Sequence, residues 1–89
     1  MSEPRPRQTL DRLPVGTMAS IHSVAGVHAA ELAREGLTAG AYVRVRSHAP
    51  WGGPVIVEVA GAGVAATVAL SRAIAAYVTV ASVDPDVAT

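Results

Sequence analysis

The sequence predicts a mainly β protein, a small barrel of about five strands with one short α-helix and one helical turn. Two runs alternate cleanly between apolar and polar residues, AYVRVRS at 41–47 and PVIVEVA at 54–60. A period of two is the signature of a half-buried strand. Glycine-rich turns separate the runs, and a chain of 89 residues has room for one core. Short strands of this kind favour a barrel, because closing the sheet removes its exposed edges.

We expect one domain over residues 9–81 with a loose tail on either side. Residues 1–8 contain two prolines, two arginines and no apolar anchor, which is typical of a frayed and disordered terminus. The segment at 82–89 ends the chain as a second tail.

The first strand is predicted over 17–24, after a Pro-Val-Gly turn at 14–16 that follows Leu10 and Leu13. Ala19 and Ile21 are expected on its apolar face. Ser20 and His22 are expected on its polar face. The next apolar residue, Val24, is off this parity, which indicates a β-bulge.

A short helix is predicted at 26–36, where apolar residues recur at helical spacing. Ala29, Leu32 and Ala33 are expected on its apolar face. Glu31 and Arg34 are expected to point toward water. Gly36 is expected to end the helix in the left-handed conformation, which glycine adopts without steric penalty.

The two alternating runs are expected to form a hairpin whose end is PWGG at 50–53. The residues expected to face the core are those of odd number: Ala41, Val43, Val45, Val55, Val57 and Val59. On the outer face, Glu58 is placed to pair with Arg44 or Arg46 across the strands.

The last third of the chain is expected to form a strand at 64–70, a helical turn at 71–75 capped by Ser71, and a closing strand at 77–80. Val78 and Val80 are expected to face inward. The apolar stretch 64–83 is long enough for a membrane span. Its many alanines and its central arginine, which would cost about 2.5–3.5 kcal/mol in a membrane, favour strand–turn–strand instead.

Composition excludes several classes of function. Net charge is zero, with seven basic and seven acidic residues, which argues against binding nucleic acid through a basic face. No cysteine is available for disulfides, metal thiolates or nucleophilic catalysis. The histidines, His22, His28 and His48, have no motif spacing, so we interpret them as surface or partly buried rings; metal binding by them stays an open alternative. No catalytic motif is present, so we expect neither an enzyme nor a cofactor.

Trp51 is the only tryptophan, and it stands directly before two glycines. In the interpretation that we favour, its ring folds back over the end of the barrel and covers the core. In the alternative, it is an exposed anchor for a partner, since tryptophan is enriched among the residues that dominate binding interfaces.

Four segments together resemble the ferrous iron transport protein A (FeoA) family. They are TLDRLPVGTMASI at 9–21, ELAREGLTAGAYVRV at 31–45, APWGGPVIVEVAG at 49–61 and, more weakly, VALSRAIAAYVTV at 68–80. The order GLTAG, V-R-V and then GGPV is the most specific part. The resemblance implies an SH3-like β-barrel without enzymatic activity, in agreement with the strands derived above.

The resemblance also implies a partner, the cytoplasmic part of the FeoB ferrous iron transporter, and hence a cytoplasmic protein that reaches the inner face of the membrane only through the transporter. We expect the contact to involve six residues: Trp51, Gly52, Gly53, Pro54, Arg44 and Arg46. Two other classes stay open. One is the SH3-like domain of iron-dependent repressors, for which the chain lacks room for a helix-turn-helix. The other is a self-associating module using the apolar region 64–80, which would form homo-oligomers.

The chain departs from the family pattern at three places. Glu35 replaces an apolar residue before GLT, and SRAIA at 71–75 replaces a more charged turn. The segment 61–68 is about two residues longer than is usual in the family. These departures leave the expected fold unchanged and bear on the partner contacts.

Overall fold

The computed structural model of the chain describes residues 7–61 and 64–83. Within them the chain forms six β-strands, two α-helices, a 3-10 turn at Leu10–Arg12 and a tight turn at Pro50–Gly52. The strands are β1 Arg7–Thr9, β2 Met18–Val24, β3 Tyr42–His48, β4 Val55–Gly61, β5 Val64–Leu70 and β6 Val78–Ser82. The helices are α1 Gly26–Arg34, between β2 and β3, and α2 Arg72–Ala75, between β5 and β6.

All six strands belong to one antiparallel sheet in the order β1-β6-β2-β3-β4-β5. The mainly β fold and the five predicted strands are confirmed, and β1 is a sixth. Among the described residues β1 and β5 do not pair, so the sheet curls into an open barrel with two edges. The expectation that closure removes the edges is therefore wrong.

The sheet begins before residue 9 and ends after residue 81, the limits expected from the sequence. Arg7 and Gln8, assigned to the disordered tail, pair with Ala81 and Val80 of β6. Ser82 extends β6 and pairs with Ala19. A three-residue strand is too short to show alternation, so only its tertiary pairing reveals it. Most of the two expected tails, 1–6 and 84–89, lies outside the described residues, as do residues 62 and 63 between β4 and β5.

The core is formed by one face of the sheet, covered by the 3-10 turn and the two helices. Val78 and Val80 of β6 are buried, and so are the six hairpin residues expected to face the core: Ala41, Val43, Val45, Val55, Val57 and Val59. Leu10 begins the 3-10 turn and Leu13 follows it, and neither has solvent-exposed surface. Each such side chain contributes about 1.5–3 kcal/mol by leaving water.

The expected bulge in β2 is confirmed. The pairing with β6 shifts register between Ile21 and Ser23, so His22 is the extra residue. The shift returns Val24 to the side of the core, where it packs half-buried against the cluster.

The two helices are placed as expected, with one correction. In α1 Leu32 is buried, but Ala33 is exposed, so the apolar face is narrower than expected. Gly36 follows the helix with φ of +89°, the left-handed conformation expected there. Ser71 caps α2 by accepting a hydrogen bond from the Ile74 amide at 3.2 Å. Neither helix has the length and hydrophobicity to cross a membrane, as judged over the described part of the chain.

Candidate binding surface

The end of the β3–β4 hairpin is a tight turn of unusual handedness. Trp51 has φ 57° and ψ 38°, and Gly52 has φ 76°. The Gly53 amide donates a hydrogen bond to the Pro50 carbonyl at 3.3 Å. Two consecutive residues with positive φ inside such a hydrogen bond define a type I′ turn, which normally favours asparagine or glycine at both positions. Trp51 is the only described residue other than glycine with positive φ.

The two glycines after Trp51 are required for different reasons. Gly52 has positive φ and open space around it, so its constraint is conformational. Gly53 has an ordinary φ of −70°, but a Cβ there would lie 2.7 Å from the Cβ of Ala49. The Ala49 amide also donates to the Pro54 carbonyl at 2.9 Å. The closing hydrogen bond draws the two chain segments together, and only glycine fits between them.

Trp51 is 99% exposed, so the favoured interpretation, in which its ring covers the core, is wrong. The left-handed turn carries the side chain away from the barrel, a direction that periodicity cannot indicate. A tryptophan exposed in a strained conformation contributes nothing to the core and costs about 1–2 kcal/mol of backbone energy. Strain of this kind is typical of functional positions, and a tryptophan side chain buries about 150–250 Å² when it meets a partner.

Replacing Trp51 with asparagine should raise the free energy of unfolding by about 0.5–1 kcal/mol. Asparagine adopts the left-handed conformation at lower cost than tryptophan does. Because the ring of Trp51 is exposed, its removal loses no packing contacts with the core. Urea unfolding followed by far-ultraviolet circular dichroism measures the difference. Val27→Asn is the matched control, since Val27 is 85% exposed on α1 and has helical backbone angles. Equal stability changes in the two variants would contradict a gain from relieved strain.

Arg44 and Arg46 are exposed on the outer face of the hairpin, and the expected cross-strand ion pair is confirmed. Arg44 lies directly opposite Glu58, yet Arg46 forms the pair, with its Nη1 donating to Glu58 Oε2 at 3.1 Å. The register shifts between Val45 and Ser47, which makes Arg46 a bulge residue and turns it toward Glu58. Because both side chains are largely exposed, the pair contributes under about 1 kcal/mol. Arg44 forms no ion pair with a described residue.

The six residues expected at the contact lie along one hairpin, some at its end and some on its outer face. Trp51 to Pro54 make up its end, and the two arginines lie on its outer face. At about 3.3 Å per residue, Arg44 is roughly 13 Å from the end of β3 at His48. A partner that contacts both ends of this set must follow the length of the hairpin, and an interface of ordinary size spans that distance.

His48, the last residue of β3, links the hairpin end to two other segments of the chain, a role that the sequence did not indicate. Its Nε2 lies 3.0 Å from the Leu13 carbonyl, and its Nδ1 lies 3.4 Å from Nη2 of Arg72. A carbonyl only accepts and a guanidinium only donates, so both contacts are hydrogen bonds when the ring is the tautomer with its proton on Nε2. The bulge at Arg46 reverses the parity of β3 and turns His48 inward, whereas strict alternation would place it in water.

The other two histidines lie apart from His48. His22 is exposed at the β2 bulge, and His28 packs half-buried against Tyr77 with ring centroids 4.9 Å apart. Their interpretation as surface or partly buried rings is confirmed. Across 7–61 and 64–83, no three histidine, aspartate or glutamate side chains lie close enough together to hold a metal ion.

Six short antiparallel strands around one core, with two short helices, define a small SH3-like domain. The FeoA protein of Chlorobium tepidum is similar in structure, with 29% identity, a TM-score of 0.69, and 86% of this chain and 71% of that chain covered. The crystal structure of an iron uptake regulatory protein (FeoA) is 26% identical with a TM-score of 0.72, and the match covers 88% of this chain and 99% of that one. The family model of the FeoA domain matches residues 8–82, and the chain belongs to this family.

A manganese-dependent transcriptional repressor has the same fold, with a TM-score of 0.79 over 92% of this chain. The two sequences are 21% identical and the match spans 39% of the repressor, so the likeness concerns the fold alone. No curated protein sequence matches the chain.

Proposed function

We propose that this domain is a non-catalytic accessory module of ferrous iron uptake that docks on the cytoplasmic part of a FeoB-type transporter through the end of its β3–β4 hairpin. The observation that carries the proposal is Trp51, 99% exposed in a left-handed turn of a FeoA-family domain. The domain would work in the cytoplasm and reach the membrane only through the transporter.

Trp51 acts as the anchor, and its turn makes docking favourable. The type I′ turn, closed by hydrogen bonds at 3.3 and 2.9 Å, fixes the backbone of Trp51 before binding. Such preorganisation lowers the conformational entropy lost on association. A tryptophan entering an apolar pocket of the partner can contribute 2 kcal/mol or more, as hot-spot residues do.

Arg44 supplies the polar part of the contact. It is exposed and lacks an ion-pair partner among the described residues, whereas Arg46 is already engaged with Glu58. A cation beside an anchor mainly sets orientation and association rate. Since the chain as a whole has zero net charge, this attraction is local and requires an acidic patch on the transporter.

A repressor-type function has less support. The repressor is more than twice as long as the part that matches this chain. A helix-turn-helix needs two consecutive helices, whereas α1 and α2 of the described chain are separated by three strands.

Binding of the full chain to the solubilised transporter, measured by biolayer interferometry, tests the proposal. Trp51→Asn should raise the Kd at least about thirtyfold, the equivalent of a 2 kcal/mol hot spot. Val27→Asn, which removes another highly exposed apolar side chain, on α1, should leave the Kd unchanged. Arg44→Gln should lower the association rate a few-fold at low salt, and the difference should vanish as ionic strength rises.

Two results would contradict the proposal in different ways. If wild type and Trp51→Asn bind equally, the hairpin end is not the docking surface. If the wild-type chain does not bind the transporter at any concentration tested, the proposed partner is wrong.

A further inference from the structure

The edge formed by β5 presents unpaired backbone groups. The Pro54 carbonyl accepts a hydrogen bond from the amide of Ala49, directly after β3, so the next residue, Val55, points its backbone groups toward β5. Because these directions alternate along β4, the amide and carbonyl of Val57 also point toward β5, where Val57 pairs with Val68. The neighbours of Val68 on β5, Thr67 and Ala69, consequently point their amides and carbonyls away from the sheet.

No described strand takes up these groups, because β5 pairs with β4 alone. The edge also lacks the features that usually prevent pairing. The strand VAATVAL has no charge, no proline and no register shift against β4. It is therefore a ready template for one more strand.

A groove of about 280 Å³ runs along this edge, between β5 and the two helices. Its floor is apolar, formed by the buried side chains of Leu32, Val68 and Leu70, with Ile74 of α2 at one side. A strand added to β5 would point every second side chain into this groove, because side chains alternate between the faces of a sheet.

The opposite wall of the groove is acidic. Glu31 of α1 and Glu35, the residue directly after the helix, line this wall about one helical turn apart. Glu31 lies 3.7 Å from Nδ1 of His28, and Glu35 forms no ion pair with a described residue. Two like charges at this spacing repel each other, so a cation between them is favourable.

We propose that the β5 edge binds an extended segment of a partner protein that carries lysine or arginine at every second position. Its backbone would continue the sheet as a seventh strand. The aliphatic stems of its basic side chains would cover the apolar floor, and their charged ends would reach Glu31 and Glu35. A second copy of β5 fits less well, because VAATVAL offers no cation to the groove. This site is separate from Trp51 and does not depend on the transporter.

Titration of the 15N-labelled full chain with a nine-residue peptide that alternates threonine and lysine tests the site by nuclear magnetic resonance. Saturable shifts are expected in the amides from Ala65 to Leu70 and in α1 near Glu31, with the Trp51 indole unmoved. A peptide with the same composition but its lysines in one block should bind more weakly, since it cannot direct every second cation into the groove.

Two sets of variants separate the backbone from the charge contribution. Glu31→Gln combined with Glu35→Gln should raise the peptide Kd about three- to tenfold, as for two exposed ion pairs. Thr67→Pro removes one amide that faces the free edge and should abolish binding, whereas Thr67→Val keeps that amide and should bind as wild type does.

The proposal would be overturned by equal affinity for the alternating and block peptides, or by an unchanged Kd in the glutamine variant. Shifts confined to regions outside β5 and α1 would overturn it too. Shifts in β5 that depend on protein concentration without peptide would show that a second copy occupies the edge instead. Because the transporter is not needed here, failure of this test leaves the proposed docking through Trp51 unaffected.

Discussion

Replacing Leu10 with alanine is expected to lower the free energy of unfolding by about 2–5 kcal/mol, the usual cost of a large-to-small change in a core. Leu10 has no exposed surface and begins the 3-10 turn, which packs against α2 and β6. The loss is a large fraction of the roughly 5–13 kcal/mol expected for a domain of this length. The variant should consequently unfold at a clearly lower urea concentration than the wild type.

Val15→Ala is the matched control for this prediction, because Val15 is 56% exposed only five residues further on. It should change the free energy of unfolding by no more than about 0.5 kcal/mol. Urea unfolding followed by circular dichroism is the appropriate measurement, since Trp51 is exposed in the folded state and its fluorescence will respond little. If Leu10→Ala is as stable as Val15→Ala, the segment before β2 does not belong to the cooperative unit.

Replacing Gly53 with alanine is expected to lower the free energy of unfolding by about 1–3 kcal/mol through steric overlap. The added Cβ would meet the Cβ of Ala49 at 2.7 Å, and neither atom is the end of a flexible side chain that can move aside. The hairpin must open or shift to relieve the contact, which would also weaken the closing hydrogen bond from Ala49 to Pro54.

A second replacement, Ala49→Gly, gives this prediction a direct check. It removes the atom that Cβ of residue 53 would meet, so the Gly53→Ala, Ala49→Gly double variant should regain most of the lost stability. Gly52→Ala is the control: it should cost about 1 kcal/mol because of its φ of +76°, and Ala49→Gly should not rescue it. Absence of coupling between Ala49 and Gly53 in this double-mutant cycle would contradict a steric origin.

Much of the fold follows from local patterns in the sequence. The alternation in β3 and β4 correctly predicted which valines are buried, because each strand has one face on the core and one in water. The parity of Val24 correctly predicted the bulge in β2. Ser71 and Gly36 marked helix ends, since capping depends on a few neighbouring residues.

The candidate site was less predictable. The sequence indicated the residues of the hairpin end but favoured the wrong orientation for Trp51, because a ring before two glycines fits both a buried and an exposed position. The sequence indicated that Glu58 pairs with Arg44 or Arg46 but not which of them, because the ion pair depends on the bulge at Arg46. His48 was assigned no structural role because the same bulge reverses its side of the strand.

By itself the sequence determined the strand faces, the helix ends and the resemblance to FeoA, all of which depend on residues close together in the chain. Tertiary structure alone decided that Arg7–Thr9 pairs with β6, that the sheet stays open at β5, and that Glu31 and Glu35 face the groove beside that edge. The physical reason is that these features arise between segments far apart in sequence. Their free energy depends on register, packing and direction in space, and no local pattern of residues contains that information.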